Sequence, residues 1–236
     1  MLFAVAFLAG AGTLEDMDLR SNVEASIRGS AETANLHLKV GVVDGVVIPQ
    51  GVVRNLNQAD DVVELASKIK GVTAVDRSGM RLEYSGPSDE AIADGVARTI
   101  FEVPKYASSS IRVAAAAGVV TLTGTIKNAA WRTELHRICG GIDGVQGVSD
   151  LLETPETPPD RIQKALDAVF GPRVLPRFPG KVSATAEGGT VTLEGRVPRL
   201  YDRDVAGRHA WGINGVRRVD NRLELGSGTV IRVIDP

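Results

Sequence analysis

Histidine and cysteine, the side chains that most often carry out chemistry in proteins, are scarce in this chain of 236 residues. Its three histidines are His37, His136 and His209, and its single cysteine is Cys139. Metal and nucleophilic sites need such groups at short fixed spacings, and the HExxH, CxxC and G-x-S-x-G motifs and the P-loop do not occur here. The sequence therefore predicts a protein that is not an enzyme and that holds no metal or cofactor.

Residues 170–181 form the stretch whose composition best suggests binding, because apolar and basic side chains are mixed there. Apolar groups beside cations are typical of segments that contact anionic lipid surfaces. The chain has a formal net charge of −2, yet residues 155–236 contain 13 Lys and Arg against 10 Asp and Glu. The alternative is a solvated loop whose apolar side chains cover the core. The predicted contact residues are Arg161, Lys164, Phe170, Arg173, Leu175, Arg177, Phe178 and Lys181.

The elements that would position this loop are set by an internal repeat. A Gly-Val-Val-like strand segment occurs at residues 45–51, 118–124 and 189–195, and a Gly-Val pair follows 20 residues after each closing glycine. Such a fixed period indicates an array of one small structural unit. The glycines with predicted turn or bulge roles are Gly45, Gly51, Gly118, Gly124, Gly189 and Gly195.

Hydrophobic periodicity predicts the same order of elements in each unit: helix, strand, strand, helix, strand. Ser88 or Asp89 and then Asp160 are the predicted caps of the first helices of units two and three, and Asp18 precedes the apolar stripe of unit one. The fold class is therefore α+β, with helices on one face of a small mixed sheet. The predicted divisions are an apolar segment at 1–17 and units at 18–86, 87–156 and 157–236.

Aligning the units gives expectations for single residues. Cys139 falls where units one and three have Ala66 and Ala210, which predicts a small buried side chain. In the other units, the residues equivalent to Trp131 and Trp211 are polar or small. This predicts exposed rings suited to a membrane or a partner. The alternative is that the rings pack against a neighbouring unit.

The repeated D-G-V-V-T-L-x-G-like strand, the small core residues of the second helix and the closing G-V-x-x-V resemble the BON domain family in three tandem copies across residues 18–225. The resemblance implies αββαβ sandwiches in a bacterial periplasmic or envelope protein that binds phospholipid surfaces or maintains the envelope under stress. It implies no catalytic residues.

Unit one departs from the pattern at Pro49, where the other units have Leu122 and Leu193. Proline lacks the N–H that a strand donates to its neighbour and is confined to edges and bulges. The second strand of unit one is therefore predicted to be an edge strand or to be locally broken.

The leading hypothesis is a protein that contacts anionic phospholipid or envelope proteins, with no nucleic-acid partner. The alternatives are self-assembly into homo-oligomeric rings or filaments through contacts between units, and a periplasmic holdase chaperone. The apolar run at residues 1–12 is either an export or anchor segment or part of unit one. The first reading favours the periplasm or envelope, whereas the second would allow a cytoplasmic protein.

Overall fold

The computed structural model describes residues 13–83, 86–107, 109–171 and 181–226, which form three αββαβ units. Unit one consists of α1 (Leu14–Gly29), β1 (Lys39–Val43), β2 (Val46–Val53), α2 (Leu56–Ser67), β3 (Ala74–Val75) and β4 (Met80–Leu82). Unit two consists of α3 (Asp89–Phe101), β5 (Arg112–Ala116), β6 (Val119–Thr125), α4 (Trp131–Gly140) and β7 (Gly147–Glu153). Unit three consists of α5 (Pro159–Phe170), β8 (Lys181–Glu187), β9 (Thr190–Val197), α6 (Leu200–Trp211), β10 (Arg218–Asn221) and β11 (Glu224–Leu225).

In the sheet of each unit, the second strand lies at the centre, between the first strand and the third. In unit two, β6 pairs antiparallel with β5 and parallel with β7, and the same arrangement surrounds β2 and β9. The antiparallel pair is a hairpin, whereas the parallel pair is connected through the second helix. The predicted α+β fold class is therefore confirmed.

Each hairpin turn ends with a glycine, whose φ is positive. Asp44 and Gly45 have φ values of 50° and 76°, and Ala117 and Gly118 have 49° and 74°. Two successive residues with positive φ match the right-handed twist of the strands. The six glycines predicted to be structural all have positive φ: Gly45, Gly51, Gly118, Gly124, Gly189 and Gly195.

The glycine at the end of the second strand permits a close backbone approach. A Cβ placed on Gly124 would lie 1.8 Å from the carbonyl oxygen of Ser110. Since no side chain fits there, the strand can bend toward the start of the hairpin only with glycine at this position.

Each unit has its own apolar core between its helices and its sheet. Val96, Leu122 and Leu135 are fully buried in unit two, and Leu166 and Leu193 are fully buried in unit three. These residues come from the first helix, the second helix and the central strand. The apolar stripes that the sequence places on the helices thus face the sheet.

The prediction of an edge strand at Pro49 is wrong, because β2 is the central strand of its sheet. The carbonyls of Val47 and Val53 accept hydrogen bonds from the N–H groups of Asp76 and Glu83, on the side of the third strand. Because the direction of the backbone groups alternates along a strand, those of every second residue of β2, including Pro49, point toward the third strand. That third strand is split into β3 and β4 by a 3₁₀ turn at Arg77–Gly79. The missing N–H of Pro49 therefore faces a break in the partner strand.

The starts of the first helices are set by the residues that precede them. Helix α1 begins at Leu14, because the Thr13 hydroxyl accepts a hydrogen bond from the Asp16 N–H at 3.2 Å. Residues 14–17 therefore belong to the first helix of unit one, which is one of the two possibilities that the sequence left open for the N-terminal segment. Helix α5 begins at Pro159 and Asp160 lies in its first turn, so Asp160 is not the N-cap. Ser88 caps α3, as predicted.

The second helices of the three units, α2, α4 and α6, contact one another head to tail, and we call this arrangement the helix ring. The Asn57 amide, at the start of α2, donates to the Arg137 carbonyl near the end of α4 at 2.9 Å. The Ala129 N–H, just before α4, donates to the Asn214 side chain just after α6 at 2.7 Å. The start of α6 then meets the end of α2, where Lys68 lies over the Tyr201 ring. The ring therefore closes within one chain.

Candidate functional site

Helix α5 presents the first part of the predicted lipid-contacting site. Ile162 and Leu166 are buried in the core of unit three, whereas Arg161 and Lys164 are exposed. Among the residues that the structure describes, none forms an ion pair with Arg161 or Lys164. Both cations are thus available to a partner in solution.

The other predicted contact residues lie at the core, at the start of a strand or outside the described part of the chain. Phe170, at the end of α5, packs against the core of unit three. Lys181 opens β8, opposite Arg196 of β9. The predicted residues that lie outside the described part of the chain are Arg173, Leu175, Arg177 and Phe178. The structure therefore brings together Arg161, Lys164 and Phe170 on one helix, and the contact role of all eight residues stays a prediction.

Both tryptophan rings are half-buried, so of the two possibilities that the sequence left open the structure favours packing over full exposure. Trp131 makes an edge-to-face contact with Tyr106, with centroids 5.3 Å apart and planes at 81°. Trp211 packs on the core of unit three and lies 5.2 Å beneath the Arg132 guanidinium of unit two. Trp211 thus belongs to a contact between units, which is the alternative stated for it in the sequence analysis.

A cavity of about 500 Å³ lies between α2, α4 and α6 at the centre of the helix ring. The repeat places Glu64, Arg137 and Arg208 at equivalent positions of the three helices, and all of them line this cavity. Arg208 lies 4.0 Å from Glu64, and Arg137 lies 4.0 Å from Asp61. These pairs join neighbouring units, so much of the charge in the cavity is matched across the ring.

Burial affects the acidic groups of this cavity. It raises the pKa of Asp61 above the usual range, although the nearby Arg137 opposes the shift. Burial also raises the pKa of Asp204, against the opposing effect of Arg208 and Arg203. A cavity with matched charges holds helices together better than it selects a charged ligand, so we assign it a structural role.

A buried ion pair fixes the start of α4 against β7. The Arg132 guanidinium lies 2.9 Å from the Asp150 carboxylate and also donates to the Leu152 carbonyl. Burial acts to raise the pKa of Asp150, but hydrogen bonds from His136 and Leu152, with the charge of Arg132, outweigh it and leave that pKa below its usual value. The pair is specific to unit two, since its counterparts in unit three are Arg203 and Asn221.

Cys139 is fully buried in the core of unit two, as predicted. Desolvation raises the pKa of its thiol to about 12. Because the thiolate is the reactive form of cysteine, this side chain is a core residue without nucleophilic character at neutral pH. Among the described residues no cluster of three potential metal ligands occurs.

One repeated polar contact was missed by the sequence analysis. The Asp89 carboxylate accepts from the N–H groups of Ala117 and Gly118 at 2.8 and 2.9 Å, and Asp16 does the same for the turn at Gly45. Each of these Asp residues stands 28 positions before the first residue of its turn. That constant spacing was the signal, and it ties the first helix to the hairpin.

Three αββαβ units with these repeated turns define a tandem array of one domain type. The family described as "BON domain" matches residues 15–83, 88–156 and 161–227. The chain belongs to the BON domain family.

The relatives of this chain include a curated protein and solved structures. "Osmotically-inducible protein Y" of Escherichia coli (strain K12) is 25% identical over 149 residues, which cover 60% of this chain and 73% of that protein. A C-terminal domain structure of CdsD, a structural protein of the type III secretion system of Chlamydia trachomatis, is 17% identical with a TM-score of 0.23 and covers 89% of this chain and 98% of that chain. A second CdsD structure is 18% identical with a TM-score of 0.25 and covers 93% and 99%. Scores this low carry no information on function.

Proposed function

We propose that this chain is a non-enzymatic protein of the bacterial periplasm or envelope that acts under osmotic stress and contacts anionic phospholipid surfaces through unit three. The name of the Escherichia coli relative supports the link to osmotic stress. Within the described residues no helix is long and apolar enough to cross a membrane.

The exposed cations of α5 carry this proposal. Arg161 and Lys164 stand where α3 of unit two has Glu90 and Ala93, so the first helix of unit three offers positive charge at a place where unit two offers a carboxylate. Each cation near an anionic bilayer contributes about 1 kcal/mol of attraction. Helix α5 ends at Phe170, and the basic and apolar residues 172–180 follow it closely along the chain.

Self-assembly remains the alternative function. A head-to-tail contact between units is already used within the helix ring, where it closes on itself. Assembly of several chains would therefore have to use other surfaces, such as the outer strands β1, β5 and β8. Neither this alternative nor a holdase role has a supporting observation among the described residues.

Vesicle flotation of the full chain tests the proposal. We expect the protein to float with phosphatidylglycerol vesicles at about 0.1 M salt, to stay behind with phosphatidylcholine vesicles, and to lose binding at about 1 M salt, where the Debye length falls to about 3 Å. The proposal is wrong if flotation does not depend on whether the vesicles are made of phosphatidylglycerol or phosphatidylcholine. A large homo-oligomer in size-exclusion chromatography, together with absent lipid binding, would favour assembly.

A further inference from the structure

Unit three departs from the other two units at four positions that meet in one place. All four line a cavity of about 530 Å³ between α6, β10 and the start of α4. The residues are Gly207, Trp211, Arg217 and Arg218, where unit one has Val63, Ser67, Thr73 and Ala74 and unit two has His136, Gly140, Gln146 and Gly147. Residues that the shared fold does not require are thus concentrated at one surface cavity, which we call the Arg217 site.

The Arg217 site is positively charged. Arg217 and Arg218 are exposed, and neither forms an ion pair with any residue in the described part of the chain. Arg208 of α6 adds a third guanidinium, with Glu64 4.0 Å away. Asp204 is the single carboxylate among the described lining residues, and burial raises its pKa. Arg217 and Arg218 are therefore the two cations of the site without an ion pair among the described residues, beside Asp204 and the Arg208–Glu64 pair.

The backbone holds the two free arginines in place. The Arg217 N–H donates to the Gly189 carbonyl at 2.8 Å, and Arg218 pairs with Thr190 at the start of β9. A Cβ on Gly189 would lie 3.4 Å from Cγ of Arg217, so the stem of this side chain rests against the hairpin turn. Arg218 thus opens β10 and Arg217 directly precedes it, and the backbone of both residues is held by hydrogen bonds to the hairpin turn.

The remaining walls of the site suit a ligand larger than a simple ion. Gly207 leaves the surface of α6 open where the other units carry the side chains of Val63 and His136. The half-buried Trp211 supplies an apolar wall, and its ring is fixed by the Arg132 guanidinium on the neighbouring unit. The site is a groove of about 530 Å³ that is open to solvent, so it would contact a ligand from one side.

We propose that the Arg217 site binds a phosphate ester, with the phosphate between the guanidinium groups and the organic part against Trp211. Guanidinium groups match phosphate oxygens with paired, charge-assisted hydrogen bonds, which explains the preference for this anion. The ester is either a free phosphorylated metabolite or the headgroup of a phospholipid, since both carry the same chemistry.

The Arg217 site uses other residues than the proposed lipid contact. Lys181 pairs with Arg196 near the end of β9, whereas Arg218 pairs with Thr190 at its start. Six residues of strand at about 3.3 Å each place the backbones of Lys181 and Arg218 about 20 Å apart. The inference therefore does not rest on the proposed lipid contact, and the two can fail independently.

Trp211 fluorescence in the full chain tests the inference, with Trp131→Phe leaving Trp211 as the sole indole reporter. Glycerol 3-phosphate, inorganic phosphate and phosphatidylglycerol vesicles are titrated at constant ionic strength, with chloride as the reference anion. We expect a saturable change with glycerol 3-phosphate or the vesicles. Arg217→Gln with Arg218→Gln should raise the dissociation constant about tenfold or more, because hydrogen bonds to charged groups are lost.

The matched control is Arg98→Gln with Arg112→Gln, which removes two exposed cations of unit two that lack an ion pair among the described residues. This control should bind like the parent. Saturation by glycerol 3-phosphate identifies a free ester, and saturation by vesicles alone identifies a lipid headgroup. The inference is overturned if no phosphate-bearing probe saturates, or if both double variants weaken binding equally. Lipid binding that depends on residues 170–181 and not on Arg217 and Arg218, together with no saturation by glycerol 3-phosphate, would keep the proposed function and overturn this inference.

Discussion

The Lys68 ammonium lies 4.8 Å from the centre of the Tyr201 ring, and this cation–π contact joins the end of α2 in unit one to the start of α6 in unit three. It is the contact that turns three consecutive units into a closed ring. Leu200, next to Tyr201, is 9% exposed and packs into the core of unit one. Unit one therefore completes its core with a residue that lies more than a hundred positions away along the chain.

Leu200→Ala should loosen unit one even though the substituted residue belongs to unit three. Deleting the buried side chain should lower the free energy of unfolding by about 2 kcal/mol. Hydrogen exchange should become faster at Val40 and Val47 of unit one, because their core loses a packing partner. The control is Leu223→Ala, which removes a buried leucine from the core of unit three itself. Equal exchange in unit one for both variants would contradict the closure of the ring.

Asp16 should make the hairpin of unit one sensitive to acid. The hydrogen bond from the Gly45 N–H, helped by Thr13 and Asp44, holds the pKa of Asp16 below its usual value despite the opposing effect of burial. A depressed pKa in the folded state stabilises the protein above the unfolded value, and this stabilisation is lost as the pH falls through the folded value. Asp16→Asn should therefore lower the urea midpoint at neutral pH.

The pH dependence distinguishes this contact from ordinary packing. The difference in urea midpoint between the parent and Asp16→Asn should shrink as the pH falls through the lowered pKa of Asp16, because the parent carboxylate then becomes protonated as well. A difference that stays constant from neutral pH to that point would show that the charge of Asp16 plays no part.

Pro49→Leu should destabilise unit one. The leucine N–H would face the 3₁₀ turn at Arg77–Gly79, where the partner strand is interrupted, and a buried donor without an acceptor costs about 1–3 kcal/mol. The free energy of unfolding from urea titration measures this effect. A more stable variant would mean that the interruption closes into a regular ladder and that proline is a defect.

Cys139 should react slowly with thiol reagents in the native protein. Burial raises its thiol pKa to about 12, so the thiolate is rare at neutral pH and the sulfur is also out of reach of the reagent. Labelling in denaturant should be faster by orders of magnitude. Cys139→Ala should cost about 1 kcal/mol, the usual effect of a methyl-sized cavity. Native labelling as fast as that of the denatured chain would contradict the burial.

The sequence was sufficient for features that repeat in every unit. The Asp44-Gly45 turn and the burial of Cys139 follow from local backbone geometry and from the alanines at equivalent positions, so both could be predicted. The helix ring could not, because its contacts use Asn57, Lys68 and Asn214, which are not repeated residues. Such contacts depend on how the units are placed in space, and hydrophobic periodicity carries no information on that placement.

The same limit explains why the sequence left Trp211 undecided and did not indicate the proposed Arg217 site. Trp211 has Ser67 and Gly140 as counterparts, and a comparison of isolated units therefore leaves both exposure and packing against a neighbouring unit possible. In the folded chain that position meets unit two, where Arg132 covers the ring. Residues that differ from their equivalents in the other units are thus best interpreted with the three-dimensional structure, because it shows which of them lie close together.

Charge reversal in residues 170–181 tests whether unit three carries the affinity for anionic bilayers. Changing Arg173, Arg177 and Lys181 together to Glu replaces three cations with three carboxylates, and each cation near the surface contributes about 1 kcal/mol. We expect flotation with phosphatidylglycerol vesicles to be abolished while circular dichroism and the unfolding midpoint stay unchanged. The matched control reverses three exposed cations of units one and two, Arg81, Arg98 and Arg112, and should still float. If the unit-three variant binds as well as the parent, residues 170–181 only cover the core, and self-assembly becomes the better explanation of this protein.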